Sequence, residues 1–274
     1  LLINARISEK SYRRWRLFRK SLKVLLDQFT YSLIQDEKTI KYFSKLGIPE
    51  NKFELTGTLK EGSAALPYCE IQQEEISKQI SNRPVWLAAS THDGEETLIA
   101  NAHRHASKAS QGLLLIIVPR HPERGLHIAS FLKKQNFRVR IRSEKENILS
   151  DTQIYIADTL GELGIWYRIA SVSFVGGSLV PVGGHNPYEP AALGSAILHG
   201  PYVENFKAIY KRLNTADAAI KIEDEVELGI KLIDTLSPEN AAKLAHSAWE
   251  VSSKGAEITD KAMNLIHENL SVKD

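Results

Sequence analysis

The sequence predicts an α/β protein with a parallel sheet that is covered by helices on both faces. Short apolar runs recur from residue 85 onward, and a helical pattern follows each of the first five. Strands that are apolar throughout are typical of parallel sheets buried on both sides. The apolar runs are Val85–Ala89, Leu113–Val118, Ile154–Ala157, Val172–Val175, Ala196–Leu198 and Ala219–Ile222, and the helical patterns are Glu95–Ser107, Glu123–Lys134, Leu160–Ile169, Pro187–Leu193 and Asn205–Leu213. A weaker strand is predicted over Arg138–Ile141, and helices without strands complete the chain.

The first part of the chain predicts a second, smaller set of elements. Strands are expected at Leu1–Ala5, Tyr31–Gln35 and Phe53–Thr56, with helices over 8–28 and Asp36–Leu46. Asp36 is suited to cap the second helical region, and Gly47-Ile48-Pro49 is suited to stop it. We therefore divide the chain into a unit at 1–57, a polar linker at 58–83 and a main domain at 84–274.

Composition excludes some classes of protein. The chain has 274 residues and a net charge of +2, which is too small to indicate nucleic-acid binding. Cys69 is the only cysteine, so no intramolecular disulfide is possible. No apolar run approaches the roughly 20 residues of a membrane span. The chain begins at Leu1 without a methionine, and we expect an amino-terminal part to be absent.

A basic stretch with aromatic residues occupies the first helical region, between Arg6 and Lys23. Such a stretch suits an anionic membrane surface or an anionic acceptor. The alternative is a solvated helix face.

The residues suited to catalysis or ligand binding all follow strands of the predicted main sheet. Ligands of such sheets bind at the carboxyl ends of the strands, so these loops are expected to meet at one edge. The loops are Ser90-Thr91-His92, Pro119-Arg120-His121-Pro122-Glu123, Asp158-Thr159-Leu160-Gly161-Glu162, Gly176-Gly177-Ser178 and Gly200-Pro201.

Two glycine turns, Gly176-Gly177-Ser178 and Gly183-Gly184-His185-Asn186, precede the helix expected at Pro187. Free backbone N–H groups and a helix start predict a place for phosphate, and Glu189 is suited to bind a sugar hydroxyl. The alternative is two tight turns without a ligand. The spacing matches neither the dinucleotide fingerprint nor the Walker motif.

Two cations are candidates for contact with phosphate. Arg120 follows a buried strand, where a guanidinium can bind phosphate through two hydrogen bonds, and the alternative is an exposed loop arginine. Lys60 can stabilise charge on a leaving phosphate, or it can be a simple linker lysine. The acids near His92 fit no zinc spacing, and no serine has the surroundings of a hydrolase nucleophile.

Six motifs in order resemble one family. They are Asn4-Ala5-Arg6-x-Ser8, Thr56-Gly57-x-Leu59-Lys60, Ala89-Ser90-Thr91-His92-x-Gly94-Glu95-Glu96, Val118-Pro119-Arg120-His121-Pro122-Glu123-Arg124, Asp158-Thr159-x-Gly161-Glu162-Leu163 and Gly183-Gly184-His185-Asn186-Pro187-x-Glu189. The pattern resembles the 3-deoxy-D-manno-octulosonic acid (Kdo) transferases, which add Kdo to the lipid A precursor of lipopolysaccharide. The resemblance extends from Asn4 to about Lys207.

This resemblance implies a GT-B glycosyltransferase with two Rossmann-like domains. It implies CMP-Kdo as donor, lipid IV-A as acceptor, no metal or other cofactor, and a place at the cytoplasmic face of the Gram-negative inner membrane. Lys60 matches a transition-state stabiliser of the family. The residues that match the family's CMP contacts are Pro119, Arg120, Leu160, Gly161, Glu162, Asn186, Pro187, Tyr188 and Glu189.

The family's catalytic base is a glutamate upstream of the Asn4 motif, so no residue of this chain is assigned to that role. The resemblance thus implies that residues 1–57 are the end of the acceptor domain and that 84–274 bind the donor. Two alternatives stay open: a sugar-nucleotide epimerase of the same fold, and a nucleotide-binding fragment without catalysis.

Overall fold

A computed structural model of the chain describes residues 1–57 and 65–271, without the side chains of 254–258 and 271. The chain divides into two compact units. The first comprises Leu1–Ser63 and Ser252–Asp274, and the second comprises Ala64–Val251.

The first unit contains a parallel sheet in the order β1-β2-β3, and its strands lie where the sequence predicts them. Its elements are β1 (Leu2–Ala5), α1 (Glu9–Trp15), α2 (Arg19–Asp27), β2 (Ser32–Ile34), α3 (Glu37–Leu46) and β3 (Phe53–Leu55), with a short 3₁₀ turn between α1 and α2. Asp36 caps α3 by accepting a hydrogen bond from the Thr39 N–H at 2.7 Å, and Gly47 ends it at a φ of 83°. Both roles were predicted and are confirmed, since caps of this kind depend on local sequence.

The second unit contains an all-parallel sheet in the order β10-β9-β8-β4-β5-β7-β6. Its strands are β4 (Val85–Thr91), β5 (Leu114–Pro119), β6 (Val139–Ile141), β7 (Ile154–Ile156), β8 (Val172–Val175), β9 (Ala196–His199) and β10 (Ile220–Lys221). Each lies on a segment that predicted a strand, β6 on the weaker one, so the α/β class and the parallel sheet are confirmed.

Helices cover both faces of this sheet. They are α4 (Glu70–Ile80), α5 (Glu95–Ala106), α6 (Gly125–Lys134), α7 (Leu163–Ile169), α8 (Tyr188–Ala192), α9 (Lys207–Thr215), α10 (Glu225–Thr235) and α11 (Pro238–Ser271). Alternate residues of β4 enter different cores: Trp86 packs with Ile99 of α5 on one face. Leu87 packs with Ile76 of α4 and Trp166 of α7 on the other. This double burial explains why the strands read as continuous apolar runs.

The domain boundaries differ from the predicted ones at two places. Helix α4 lies inside the range 58–83 that was predicted as a linker, and its Ile76 and Ile80 are buried. These two apolar residues, one turn apart among polar neighbours, gave too weak a pattern to predict a helix. Residues 58–64 of that range lie outside the described residues.

The second difference is in α11, which runs without a break from Pro238 to Ser271. Residues from Ser252 onward group with the first unit, although the sequence placed them in the main domain. Lys261 of this segment forms an ion pair with Glu54 at β3. Because the helix is continuous, the sequence has no break that marks where one compact unit ends and the other begins. In the ranges 1–57 and 65–271, no helix has the length and apolar character to cross a bilayer.

Candidate functional site

The order of the strands marks one position in the large sheet. The chain adds β5, β7 and β6 on one side of β4, and then β8, β9 and β10 on the other. The strand order therefore reverses between β4 and β8. In open α/β sheets, ligands bind at the carboxyl ends of the strands at such a reversal. The loops after β4, β5 and β8 are the ones that reach this position.

The paired-glycine loop after β8 is already bonded to a side chain of the protein. Glu95, the first residue of α5, is fully buried. Its carboxylate accepts hydrogen bonds from the N–H groups of Gly177 at 2.7 Å, Ser178 at 3.0 Å and Leu179 at 2.9 Å. It also accepts one from the N–H of His92 at 2.9 Å. Burial raises the pKa of Glu95, and the four backbone hydrogen bonds oppose that rise.

The prediction that Gly176-Gly177-Ser178 offers free backbone N–H groups to a phosphate is therefore wrong. The N–H groups of Gly177 and Ser178 are taken by Glu95, and that of Gly176 donates to the Ala89 carbonyl at 2.8 Å. Successive N–H groups form a concave anion site, and here the anion is an internal carboxylate. In the sequence alone, Glu95 is only an acid at the start of a predicted helix.

The second glycine turn presents His185. Gly183 has a φ of 105°, and a side chain there would approach Asn205. Gly184 has a φ of 74°, and its N–H donates to the Gly177 carbonyl at 2.7 Å. Left-handed backbone at two successive residues explains the paired glycines. The Tyr210 hydroxyl donates to the His185 carbonyl at 3.0 Å, which fixes the end of the turn.

His185 contacts His92 from the loop after β4. Their Nε2 atoms lie 2.8 Å apart, and the rings stack with centroids 5.1 Å apart. The ring of His121, from the loop after β5, stands edge-on to His92 at 5.9 Å. Burial and the neighbouring His92, Arg120 and His121 lower the pKa of His185 to about 4. Burial, His121 and Arg120 also lower the pKa of His92. The pair is therefore neutral at pH 7, with one Nε2 donating to the other.

The sequence singled out these histidines only as members of motifs. Nothing in the sequence pairs residues 92 and 185, which are far apart along the chain. The signal that finds them is the pairing of β4 with β8, since Ala89 lies opposite Val175.

Several predicted donor contacts lie at the same edge of the sheet. Pro119 is buried at the end of β5, and Arg120 after it is exposed, with its N–H donating to the Thr91 carbonyl at 3.0 Å. Burial raises the pKa of Glu189, while a hydrogen bond with Asn186 and the charge of Arg120 act against the rise. The influence of Arg120 on the pKa values of His92, His185 and Glu189 shows that the structure brings these groups together.

The helix after Asn186 is shorter than predicted. Helix α8 is Tyr188–Ala192, whereas the pattern predicted Pro187–Leu193. The Asn186 side-chain oxygen accepts a hydrogen bond from the Tyr188 N–H at 3.1 Å, and Tyr188 is buried. Five residues make a weak dipole, so the predicted electrostatic contribution of this helix start is small. The polar side chains of this turn are those of Asn186 and Glu189.

The remaining predicted contacts lie in the loop between β7 and α7. Leu160 is 83% exposed, and Gly161 has a φ of 82°. The Glu162 carboxylate accepts hydrogen bonds from Arg142 at 2.8 and 3.0 Å and from the Thr159 hydroxyl. Burial raises the pKa of Glu162, but the hydrogen bonds from Arg142 and Thr159 outweigh it and the net shift is downward. Glu162 is thus ionised and held in place.

The remaining candidates are Lys60, Glu96 and a metal site. Lys60 lies outside the described residues. Glu96 accepts hydrogen bonds from Arg124 at 2.7 Å and from the Thr91 hydroxyl at 2.9 Å, so it belongs to the framework of the loop. In the part of the chain that the structure describes, no group of three or more His, Cys, Asp or Glu residues is arranged to hold a metal ion.

Known proteins that are similar to this chain identify its family. A glycosyltransferase of Rickettsia africae shares the fold, with a TM-score of 0.51 over 98% of this chain and 69% of that one at 12% identity. The chain thus has the fold of the GT-B glycosyltransferases. A family model described as 3-deoxy-D-manno-octulosonic-acid transferase (kdotransferase) matches residues 1–62. The structure of the C-terminal CMP-Kdo binding domain of WaaA from Acinetobacter baumannii matches at 34% identity and a TM-score of 0.61, over 66% of this chain and 96% of that domain. The chain belongs to the Kdo transferase family.

Curated relatives give the same result. The 3-deoxy-D-manno-octulosonic acid transferase of Haemophilus influenzae is 32% identical over 97% of this chain and 63% of its own length. The chain thus spans less than two thirds of this relative, and it spans 52% of the length of the relative from Rickettsia felis.

Proposed function

We propose that this chain carries the donor-binding part of an enzyme that transfers Kdo from CMP-Kdo to the lipid A precursor, lipid IV-A, in lipopolysaccharide synthesis. The observation that carries the proposal is the match to the CMP-Kdo binding domain from Acinetobacter baumannii, which this chain covers over 96% of its length at 34% identity. The unit at residues 1–57 is proposed to be the end of the acceptor domain.

The proposed donor site lies where the strand order reverses. Arg120 supplies an exposed guanidinium that suits the phosphate of CMP. Asn186 and Glu189, in the short turn before and within α8, suit the ribose hydroxyls because both carry hydrogen-bond acceptors. The proposed contacts further include Pro119, the loop Leu160-Gly161-Glu162, and Pro187 with Tyr188.

The proposed reaction is an inverting transfer. A base removes a proton from an acceptor hydroxyl, the oxygen attacks the anomeric carbon of Kdo, and CMP leaves. Arg120 is proposed to stabilise the charge on the leaving phosphate, and Lys60 keeps the role that its match to the family's transition-state stabiliser implies. No metal or cofactor takes part in this proposal, so transfer is expected to continue in the presence of EDTA.

One titration tests the donor assignment. The chain is titrated with CMP and with UMP, and CMP is expected to bind more tightly. A transfer assay with lipid IV-A follows. Equal affinity for CMP and UMP would contradict the proposed donor. CMP binding without transfer would favour a nucleotide-binding fragment, and conversion of a UDP-sugar without acceptor would favour an epimerase.

A second part of the proposal concerns a membrane surface. On α1, the 3₁₀ turn and α2, apolar side chains are exposed beside basic ones, with Leu17 76% and Phe18 62% exposed. Arg13, Arg14 and Arg16 lie in the same stretch. Basic residues beside exposed apolar ones suit the anionic surface of a bilayer. We propose that this face contacts the cytoplasmic side of the inner membrane, where the acceptor lies.

Vesicle binding tests the membrane proposal. Replacing Arg13, Arg14 and Arg16 by Gln is expected to weaken binding to vesicles rich in anionic lipid by roughly 100-fold, at about 1 kcal/mol for each charge. Replacing three exposed lysines of the second unit, Lys78, Lys133 and Lys243, changes the net charge equally and serves as the control. If both triple variants lose the same affinity, the effect comes from net charge and the proposed surface is wrong.

A further inference from the structure

Arg120 and three histidines meet at the site. His92, His121, His185 and Arg120 come from the loops after β4, β5 and β8, and His121 and Arg120 act on the pKa values of His92 and His185. Within residues 1–57 and 65–271, no carboxylate forms an ion pair with Arg120. A cluster of this kind, at the position where α/β sheets bind ligands, suits an anion.

The acids nearby are engaged elsewhere. Glu95 is bonded to four backbone N–H groups, and Glu96 accepts hydrogen bonds from Arg124 and Thr91. Glu189 is half-buried and hydrogen-bonded to Asn186. Glu123 lies beside His121, with 3.7 Å between its Oε1 and the His121 Nδ1. The partner of His92, His185 and Arg120 is therefore expected to be a ligand.

The contact between the two histidines decides how they respond to an anion. With their Nε2 atoms 2.8 Å apart, only one proton lies between them. Each ring keeps its Nδ1 atom for other contacts. The pair can take up one further proton at an Nδ1 without breaking the Nε2 contact, and it then carries one positive charge.

We propose that His92 and His185 are anion-binding residues of the donor site, and that the pair takes up one proton when the phosphate of the donor nucleotide binds beside Arg120. This inference rests on the proposed function, because it names two further residues that contact the proposed donor. The proposed site then contains, besides Arg120, Asn186 and Glu189, a histidine pair whose charge changes when the ligand binds.

The direction of the pH dependence follows from the surroundings of the pair. Burial, His121, Arg120 and Arg124 act to keep His92 neutral in the free protein, and Glu96 acts against them. Burial, His92, Arg120 and His121 act in the same direction on His185. A bound phosphate reverses this balance and raises the pKa of the pair. Between the free and the bound pKa, binding takes up a proton, so the pair makes affinity rise as the pH falls through that window.

The experiment is calorimetric titration of the full chain with CMP, and with cytidine as the probe that lacks phosphate. Measurements at one pH in buffers of different ionisation enthalpy give the number of protons taken up. The variants are His185→Gln and His92→Gln, since Gln can hydrogen-bond near the Nε2 position but cannot take up a proton. His246→Gln, an exposed histidine of α11 that pairs with Glu250, is the matched control.

The ionisation of CMP itself contributes equally to the proton uptake of every variant. A difference in proton uptake between a variant and wild type therefore comes from the histidine pair. We expect wild type and His246→Gln to take up more protons than either site variant. We also expect either site variant to bind CMP about 10-fold more weakly, the lower end for loss of a charge-assisted hydrogen bond, with cytidine binding unchanged.

The outcomes separate the two proposals. If CMP binds all four proteins with equal affinity and equal proton uptake, the role of the histidines is overturned and the proposed donor site stands. If wild type binds CMP no better than cytidine, both fail. Thermal unfolding checks that the variants are folded. If they are not, ¹⁵N imidazole spectra of wild type decide: an increase in protonation on adding CMP supports the inference, and unchanged spectra overturn it.

Discussion

Two neighbouring loops at the edge of the large sheet differ in whether their anion-binding groups already have a partner within the protein. The loop after β8 surrounds a carboxylate of the protein, since Glu95 accepts hydrogen bonds from Gly177, Ser178 and Leu179. The loop after β5 presents Arg120 to solvent without an ion pair in the described parts of the chain. The first arrangement is complete and holds the fold together, whereas the second is incomplete and suits a ligand. A glycine-rich turn is therefore not by itself a sign of a ligand site.

Removing the internal carboxylate tests the complete side of this comparison and should give the largest effect. Glu95→Ala leaves four N–H groups without their acceptor, and we expect a loss of roughly 3–5 kcal/mol in the free energy of unfolding. Thermal and denaturant unfolding measure it. Glu70→Ala, at the exposed first residue of α4, is the control and should cost about 0.3–1 kcal/mol. Similar losses in the two variants would show that Glu95 acts only on the helix dipole.

Two arginines of the segment after β5 allow the same comparison between an engaged and an unengaged charge. Arg124 binds the buried Glu96, so Arg124→Ala should lower the free energy of unfolding by roughly 2–4 kcal/mol. Arg120→Ala should leave unfolding unchanged and weaken CMP binding by about 1.5–3 kcal/mol, the value for one charge-assisted contact. Thermal unfolding and a CMP titration of both variants measure the two effects. A reversed pattern, with Arg120 stabilising the fold, would contradict the assignment of that loop to a ligand.

The smallest expected effect is on the pH dependence of stability without ligand. The folded state holds His185 at a pKa of about 4, below its ordinary value, while the unfolded chain binds the proton more readily. Stability is therefore lost as the pH falls from about 6.5 toward 4. His185→Gln removes this group, so the variant should lose less stability than wild type between pH 7 and pH 5. If wild type and His185→Gln lose the same free energy of unfolding between pH 7 and pH 5, His185 does not titrate in this range.

Sequence patterns predicted the elements whose causes are local or uniform. The strands of the large sheet are apolar on both sides, so runs such as Val172–Val175 are visible without any tertiary knowledge. Asp36 and Gly47 were predictable because a helix cap involves neighbours in sequence. Helix α4 was missed because only Ile76 and Ile80 are buried.

The site was less predictable because its contacts join distant residues. Physical reasoning favoured Arg120 as a phosphate contact, but the roles of Pro119, Leu160 and Tyr188 came only from the family resemblance. The hydrogen bonds that the loop after β8 donates to the Glu95 carboxylate join residues 82 and 83 positions apart in the chain. Such contacts depend on strand order, which local patterns do not contain.

The internal carboxylate also has a kinetic consequence. Because Glu95 fixes residues 177–179 before any donor arrives, the entropy of ordering this loop is lost during folding and not during binding. His92, whose N–H is bonded to the same carboxylate, is likewise preorganised. The rate of nucleotide capture by the wild-type chain should then be limited by diffusion and charge, with no slow loop closure before the complex forms.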